Sequence, residues 1–330
     1  MTVALLLLGV VVTSGVIWFS SKGISAASEM WGCGWSPGIR GATINAIASS
    51  VPELFTTIVF LVILGDSEGF VSGISTIAGS AVFNVFVIPG VMILAVFFKH
   101  KRSLKEHKRR IVLRDGSILM AVQAIIYFFI YQGAFKLWHA GVLLFIYALY
   151  ILILIRKNRD DKDETVDCYF SPETRRAINI KFVLGMIGVG VGCYYLVELC
   201  IDLGTHFNLE IPVIALVIAA AATSVPDTFL SLRDASHGKT DDAISNAFGS
   251  NIFDLCVALG LPLLIYCMYN GEIALGDEMK ASLSIIWLIL MGLTLVALAV
   301  MYISRRLTIY HSLILLTCYF TIVGLVVCLY

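Results

Sequence analysis

Apolar residues along this chain fall into long blocks separated by short polar breaks, the pattern of helices that cross a bilayer. Such a helix needs about 20 mostly apolar residues. Blocks of this kind lie at approximately 2–20, 41–64, 70–98, 116–134, 138–155, 182–201, 211–232, 242–268, 281–303 and 308–329, which predicts ten spans. The first has no basic stretch ahead of it and runs straight into the pattern below, so it reads as a span and not as a cleaved signal. Composition points the same way. Of 330 residues, 59% are hydrophobic and 14% charged, with mean hydropathy +0.91, against roughly 45–50% and about 25% in soluble domains. A soluble globular enzyme and a disordered chain are both excluded. The balance of 23 Lys+Arg against 23 Asp+Glu leaves no basic surplus for nucleic acid. Eight cysteines contain no CxxC, and most sit in apolar blocks. They are expected to pack as small hydrophobes, not as a disulfide framework or zinc site.

Charge in the connections predicts the orientation. With the N-terminus outside, the odd-numbered connections hold 21 of the 23 Lys and Arg, and only Lys136 and Lys280 remain on the other side. Positive residues favour the cytoplasmic side, so ten spans with both termini outside are expected. Losing one span would scramble that alternation. The cluster from Lys99 to Arg114 reads first as a topology determinant and second as a contact for anionic lipid. The polar stretch 156–181 reads as a cytoplasmic linker.

The chain also repeats itself. Residues 49–57 read SSVPELFTT and 223–231 read TSVPDTFLS; residues 79–84 read GSAVFN and 249–254 read GSNIFD. The offsets are 174 and 170, and Pro37 and Pro212 stand at similar distances upstream. The motifs fall in the second and third spans of each five-span half. Five is odd, so the second half enters the membrane from the opposite side. An all-α membrane protein of two inverted five-helix repeats is expected, residues 1–155 and 182–330, with motif regions 41–98 and 211–268. Inverted repeats with broken helices are typical of secondary transporters, whose sites lie near the midplane.

The motif residues suit a cation. Pro52 and Pro226 interrupt their helices, freeing the carbonyls of Ala48 and Ala222 and distorting neighbours such as Ala46 and Ala220. Such carbonyls need a partner at membrane depth. Glu53, Asp227 and Asp254 lie inside spans, where an acid costs about 2.5–3.5 kcal/mol on insertion scales, and no Lys or Arg shares their span cores. Ser49–Glu53, Thr223–Asp227, Ser80–Asn84 and Ser250–Asp254 are all i,i+4 pairs, expected on one helical face, and Ser50 and Ser224 add hydroxyls. This all-oxygen set fits a hard cation such as Ca²⁺, Na⁺ or K⁺; zinc, copper or iron would call for His or Cys. Gly79 and Gly249 permit close helix approach. Glu198 and Asp202 read as interfacial. Asp66, Glu68, Asp277 and Glu278 read as solvated loop charge, with cation collection at an entrance as the sharper alternative. The six histidines are assigned no chemistry, and Trp31, Trp35 and Trp138 read as interfacial anchors.

SVPELFTT with GSAVFN, followed by TSVPDTFLS with GSNIFD, resembles the two alpha-repeats of the calcium/cation antiporter superfamily, the sodium/calcium exchangers. The resemblance implies a ten-helix antiporter, not an enzyme, that exchanges Na⁺ for Ca²⁺ by alternating access without a cofactor. Its partners would be inorganic cations and the bilayer, with no oligomer required. It implies that Glu53 and Asp227 are acids shared by Ca²⁺ and Na⁺. Ser49, Ser50, Ser80, Thr223, Ser224 and Ser250 would supply hydroxyls, Ala46 and Ala220 carbonyls, and Asn84 and Asp254 would complete the centre. The wording is nearest the potassium-dependent branch, where an aspartate at the position of Asp254 accompanies K⁺ co-transport; K⁺ coupling stays open. Ala48-Ser49 and Ala222-Thr223 stand where many family members have Gly-Thr or Gly-Gly before the SxPE core; serine for threonine keeps the hydroxyl, and alanine for glycine is the departure. A compact chain suggests a bacterial inner membrane. Two other readings remain: a Ca²⁺/H⁺ antiporter of the same superfamily, and an intramembrane aspartyl protease using Asp227 and Asp254. The protease would need a GxGD or PAL-type signature that the chain lacks. A channel suits the two-fold repeat less well than alternating access.

Overall fold

A computed structural model of the chain describes residues 3–36, 38–65, 67–100, 109–160, 170–304 and 306–329. Pro37, Asp66, residues 101–108 of the basic cluster and residues 161–169 of the linker lie outside the described residues. The described residues hold nine helices long and apolar enough to span a membrane. A tenth span is the bent pair Gly41–Ser49 and Val51–Leu64, which meet at 44°.

In chain order the spans are α1 (Val3–Trp31), α2a (Gly41–Ser49) with α2b (Val51–Leu64), α3 (Ser67–His100), α4 (Arg109–Tyr131) and α5 (Leu137–Asp160). The second half holds α6 (Pro172–Phe207), α7 (Ile211–Ser236), α8 (Thr240–Asn270), α9 (Asp277–Ile303) and α10 (Ile309–Leu329). Strand β1 (Ala134–Phe135) pairs antiparallel with β2 (Ile273–Ala274), tying the fourth connection to the eighth. Four spans separate these strands, so a shared face is what strict alternation requires.

Two helices are longer than the hydropathy blocks predict. α1 continues to Trp31 and α6 begins at Pro172. The two pack together as far as Lys181 and Phe182; ahead of these, residues 172–180 of α6 are mostly exposed. A Cβ on Gly9 would meet Leu199, on Gly192 Ile17, on Gly188 Ser20, and on Gly23 the Lys181 carbonyl. Small residues let the backbones close from Gly9–Leu199 to Gly23–Lys181. Contacts advance along α1 as they retreat along α6, so the first helices of the two halves run antiparallel. α4 and α9 do the same: Gln123 donates to Thr294 Oγ1 at 3.0 Å, and Arg109 donates to the Ile303 carbonyl at 2.9 Å. Antiparallel equivalents are the direct signature of inversion. Other packings also come in swapped pairs, α3 against α10 as α8 against α5, and α2b against α3 as the second half of α7 against α8.

Both α2 and α7 break at the predicted motif. The turn is carried by Ser50 (φ −94°, ψ 9°) and Ser224 (φ −78°, ψ 0°), with Pro52 and Pro226 in the first turn of the following helix, where a missing N–H costs nothing. Each break follows a five-residue π-helical turn, Gly41–Asn45 and Ala215–Ala219, again 174 residues apart. A third π turn, Asp254–Ala258, has no mate in α3. Leu259 N–H closes it on the Asp254 carbonyl at 3.0 Å; the matching residue in α3 is Pro89, which has no N–H to give.

Candidate cation-binding site

The two breaks and the middles of α3 and α8 meet at the centre of the molecule. Glu53, Asp227, Asp254, Asn84 and the hydroxyls of Ser49, Ser50, Ser80, Thr223, Ser224 and Ser250 all have no solvent exposure. Gly79 and Gly249 make this possible. A Cβ on Gly79 would stand 1.9 Å from the Leu216 carbonyl of α7, and one on Gly249 would stand 2.7 Å from Cα of Ala42 in α2a. The backbones touch where any side chain would hold them apart.

Ser80 Oγ is the hub. It lies 2.9 Å from Ser224 Oγ and donates toward Glu53 Oε1 and Asp254 Oδ2, both at 3.3 Å. Ser250 donates to Asp227 Oδ1 at 3.0 Å, and Asn84 Nδ2 donates to Asp227 Oδ2 at 3.1 Å. Thr223 stands beside Glu53, Ser49 beside Asp227 and Ser50 beside Asp254.

This pairing corrects the helical-face expectation. Ser49 and Glu53 belong to different half-helices, as do Thr223 and Asp227. The turn at Ser50 and Ser224 lies between them, so each hydroxyl serves the acid of the other repeat. Ser250 serves Asp227 of its own repeat and not Asp254. Only Ser80–Asn84 keeps its i,i+4 contact, at 3.4 Å. The carbonyls of Ala46 and Ala220 are not left bare: Ser50 N–H and Ser224 N–H donate to them, both at 3.1 Å.

Three carboxylates in a dry centre with no described Lys or Arg in contact demand compensation, because an isolated buried charge costs far more than folding can spare. Glu53 Oε2, Asp254 Oδ1, Asn84 Oδ1 and Ser50 Oγ are buried without hydrogen-bond partners. Unpartnered oxygens of this kind fit a hard cation, which takes 6–8 oxygen ligands. No group of three or more His, Cys, Asp or Glu among the described residues is placed to hold a metal ion. The neutral hydroxyl and amide oxygens are therefore needed.

Sequence reasoning missed a second layer. Asn251 accepts from Asn84 at 3.0 Å and donates to the Ala81 carbonyl at 3.1 Å. Asn246 donates to Ser231 and accepts from Ser49, and Asn45 Nδ2 donates to Asp234 at 3.3 Å. Asn45–Ser49 and Asn246–Ser250–Asp254 continue the i,i+4 spacing one turn outward, a signal the sequence did carry. Glu198 is half-buried and Asp202 exposed, neither in the site. His139 is buried and accepts from Lys136 N–H through Nδ1 at 3.0 Å, away from the centre. Cys193, Cys200, Cys256 and Cys267 are buried free thiols, as expected of small hydrophobes; Cys33 departs from that expectation and is disulfide-bonded.

The odd-numbered connections share one face, which we term the basic face. Asp242, fully buried, pairs with Arg40 and accepts from Gly38 N–H at 2.7 Å. Arg114 bonds Asp115 and the Gly38 carbonyl, and Arg233 pairs with Glu29. On the opposite, acidic face Lys136 pairs with Glu272 at 3.5 Å, with both side chains exposed. There a cavity of about 680 Å³ enters between α3, α7 and α9, with Ser75 and Leu216 at its inner lining.

The sequence profile of the family described as "Sodium/calcium exchanger protein" matches residues 5–156 and again 180–328. "Inner membrane protein YrbG" of Escherichia coli is 24% identical over 272 residues, 79% of each chain. "Sodium/potassium/calcium exchanger 1" of Gallus gallus is 33% identical over 101 residues, which cover 31% of this chain and only 15% of that protein. Among solved structures, the H⁺/Ca²⁺ exchanger CAX superposes with TM-score 0.75 at 16% identity, covering 96% of this chain and 81% of that one. The sodium-calcium exchanger NCX_Mj superposes with TM-score 0.60 at 18% identity, covering 98% and 99%. These two likenesses concern the fold.

Proposed function

The chain belongs to the sodium/calcium exchanger protein family, and on that basis we propose that it is an antiporter moving Ca²⁺ against Na⁺ through the Glu53/Asp227 centre. The observation that carries this reading is the buried trio of carboxylates, two of which, Glu53 and Asp254, keep an oxygen without a hydrogen-bond partner. Ca²⁺ and Na⁺ compete for one centre. Only a neutralised centre crosses between the two access states, because an empty cluster of three acids is too costly to move through a dry core. The hydroxyls that surround the acids favour Na⁺, which needs neutral oxygens besides one carboxylate.

In this reading each repeat, residues 1–155 and 182–330, supplies half of the centre, and 156–181 links them. The basic face is cytoplasmic by the charge rule, the termini are outside, and the membrane is the inner membrane of a bacterium, as the name of the E. coli relative suggests. K⁺ enters through Asp254. Its Oδ1 is unpartnered and it faces the Glu53 side of the centre through Ser80, so a third cation has an acid of its own.

The test is ⁴⁵Ca²⁺ uptake into proteoliposomes loaded with Na⁺, against choline-loaded vesicles and vesicles holding only a pH gradient, each with and without K⁺. Uptake that requires the Na⁺ gradient supports the exchanger. Uptake driven by the pH gradient alone makes the protein a Ca²⁺/H⁺ antiporter and turns Glu53 and Asp227 into proton carriers. K⁺ stimulation that disappears in Asp254→Asn assigns that acid to K⁺.

A further inference from the structure

We propose that the rim of the acidic-face cavity is a separate, low-affinity loading site for hard divalent cations; this rests on the antiporter reading only for what the loaded ion does next. Glu68 opens α3, Glu210 precedes α7, and Asp277 and Glu278 open α9. Three connections distant in sequence thus bring four carboxylates to one mouth, and no Lys or Arg is among the residues that line it. From the sequence these were scattered loop charges. Tertiary packing makes them a ring.

A second observation points into the cavity. Ser75 lines it, is fully buried, and its hydroxyl has no hydrogen-bond partner. It lies five residues before Ser80 on α3, or ~7.5 Å along the helix axis. Between them stands the Gly79–Leu216 backbone contact, the closed door above the centre. A cation held at the rim therefore has an oxygen waiting one step inside and the binding centre one step beyond that.

The basic face has a pocket of about 400 Å³ at the second break, but Lys22 and Arg233 line it together with Glu29. A more polar pocket nearby is about 230 Å³ and is lined by Arg40, Arg233 and Lys239 as well as Glu29 and Asp234. A mouth lined by one sign of charge raises the local concentration of counter-ions, and the acidic-face cavity is lined by carboxylates without a Lys or Arg. Low affinity follows from exposure, since the rim carboxylates keep water that a dry site would strip.

The experiment uses the full chain in sealed vesicles of both orientations. In Glu68→Gln/Glu210→Gln/Asp277→Asn/Glu278→Gln, the half-saturating Ca²⁺ presented to the acidic face rises about 5- to 20-fold at low ionic strength. The rise shrinks toward unity in about 0.5 M salt, because exposed charges are screened. Maximal rate and half-saturation at the basic face stay unchanged. An unchanged acidic-face value overturns the proposal. So does an equal shift at both faces, or a lowered Tm without any Ca²⁺ effect, which would leave the acids only as first-turn charges on helix N-termini. A readout that needs no transport separates this from failure of the antiporter reading. In a Glu53→Gln/Asp227→Asn background, bound Mn²⁺ measured by electron paramagnetic resonance persists at millimolar ion and disappears when the rim is also neutralised. Mn²⁺ binding that ignores the rim changes overturns the proposal whether or not the parent transports Ca²⁺.

Discussion

The two routes out of the centre are built from equivalent positions of the two repeats, yet they are chemically unlike. Toward the basic face, α7 presents Ser231 and Asp234, α8 presents Asp242, Ser245 and Asn246, and α2a presents Asn45 and Ser49. Nearly every one of these is bonded across helices. Toward the acidic face the equivalents are Thr57 and Phe60, Ser72, Ser75 and Thr76, and Ala219 and Thr223. There Ser72 and Ser75 are buried hydroxyls without partners. Asp242 latches one face to Arg40, while Ser72 in the same position of the other repeat holds nothing. One sequence, duplicated and then diverged at a handful of polar positions, closes one side with charge and leaves the other lined by hydroxyls beside a cavity. The asymmetry between the two routes lies mainly in side chains; the backbone repeats two of its three π turns.

The centre joins both routes, so its loss has the largest expected effect. Asp227→Asn lowers Ca²⁺ flux at least about 100-fold while the size-exclusion profile and Tm stay close to wild type, because an amide of the same shape removes charge but keeps hydrogen-bonding capacity. Normal transport by this variant would overturn the site.

The latch comes next. Arg40→Gln strands the buried Asp242 carboxylate, a loss of about 3–5 kcal/mol for a broken buried pair, and it acts on one face only. Labelling of a cysteine placed at Ser231 by an impermeant thiol reagent from the basic face should rise about tenfold. Labelling at Ser75→Cys from the acidic face should fall, since opening one side closes the other. A rise on both faces would mean that the pair holds the fold together and does not gate it.

Smaller effects compare the two repeats. Gly79→Ala forces a Cβ to 1.9 Å from a carbonyl oxygen, Gly249→Ala to 2.7 Å from a Cα. Overpacking typically costs about 1–3 kcal/mol. Both variants should lose thermal stability, Gly79→Ala more, and its loss of Ca²⁺ affinity should be larger because Leu216 leads directly into the second break. Equal effects would show that the repeats tolerate separation alike. Smallest of all, Lys136→Gln breaks an exposed pair, with side chains 45% and 57% accessible, and should shift stability by less than about 1 kcal/mol and transport not at all.

The sequence by itself determined the spans, the inversion and which acids and hydroxyls gather at the centre, and it did so for one physical reason. Lipid cannot hydrogen-bond, so apolar length marks each span and any acid or proline within a span stands out against it. That is why Glu53, Asp227 and Asp254 were legible with their hydroxyls, and why a motif read twice across an odd number of spans implied antiparallel equivalents. The tertiary structure alone decided which oxygen serves which acid. Helical spacing pairs Ser49 with Glu53, but the turn at Ser50 hands Ser49 to Asp227, since a broken helix no longer carries its periodicity across the break. It also decided the length of α1 and α6, and the gathering of Glu68, Glu210, Asp277 and Glu278 at one mouth. Contacts between residues far apart in the chain leave no periodic trace, so only packing can reveal them.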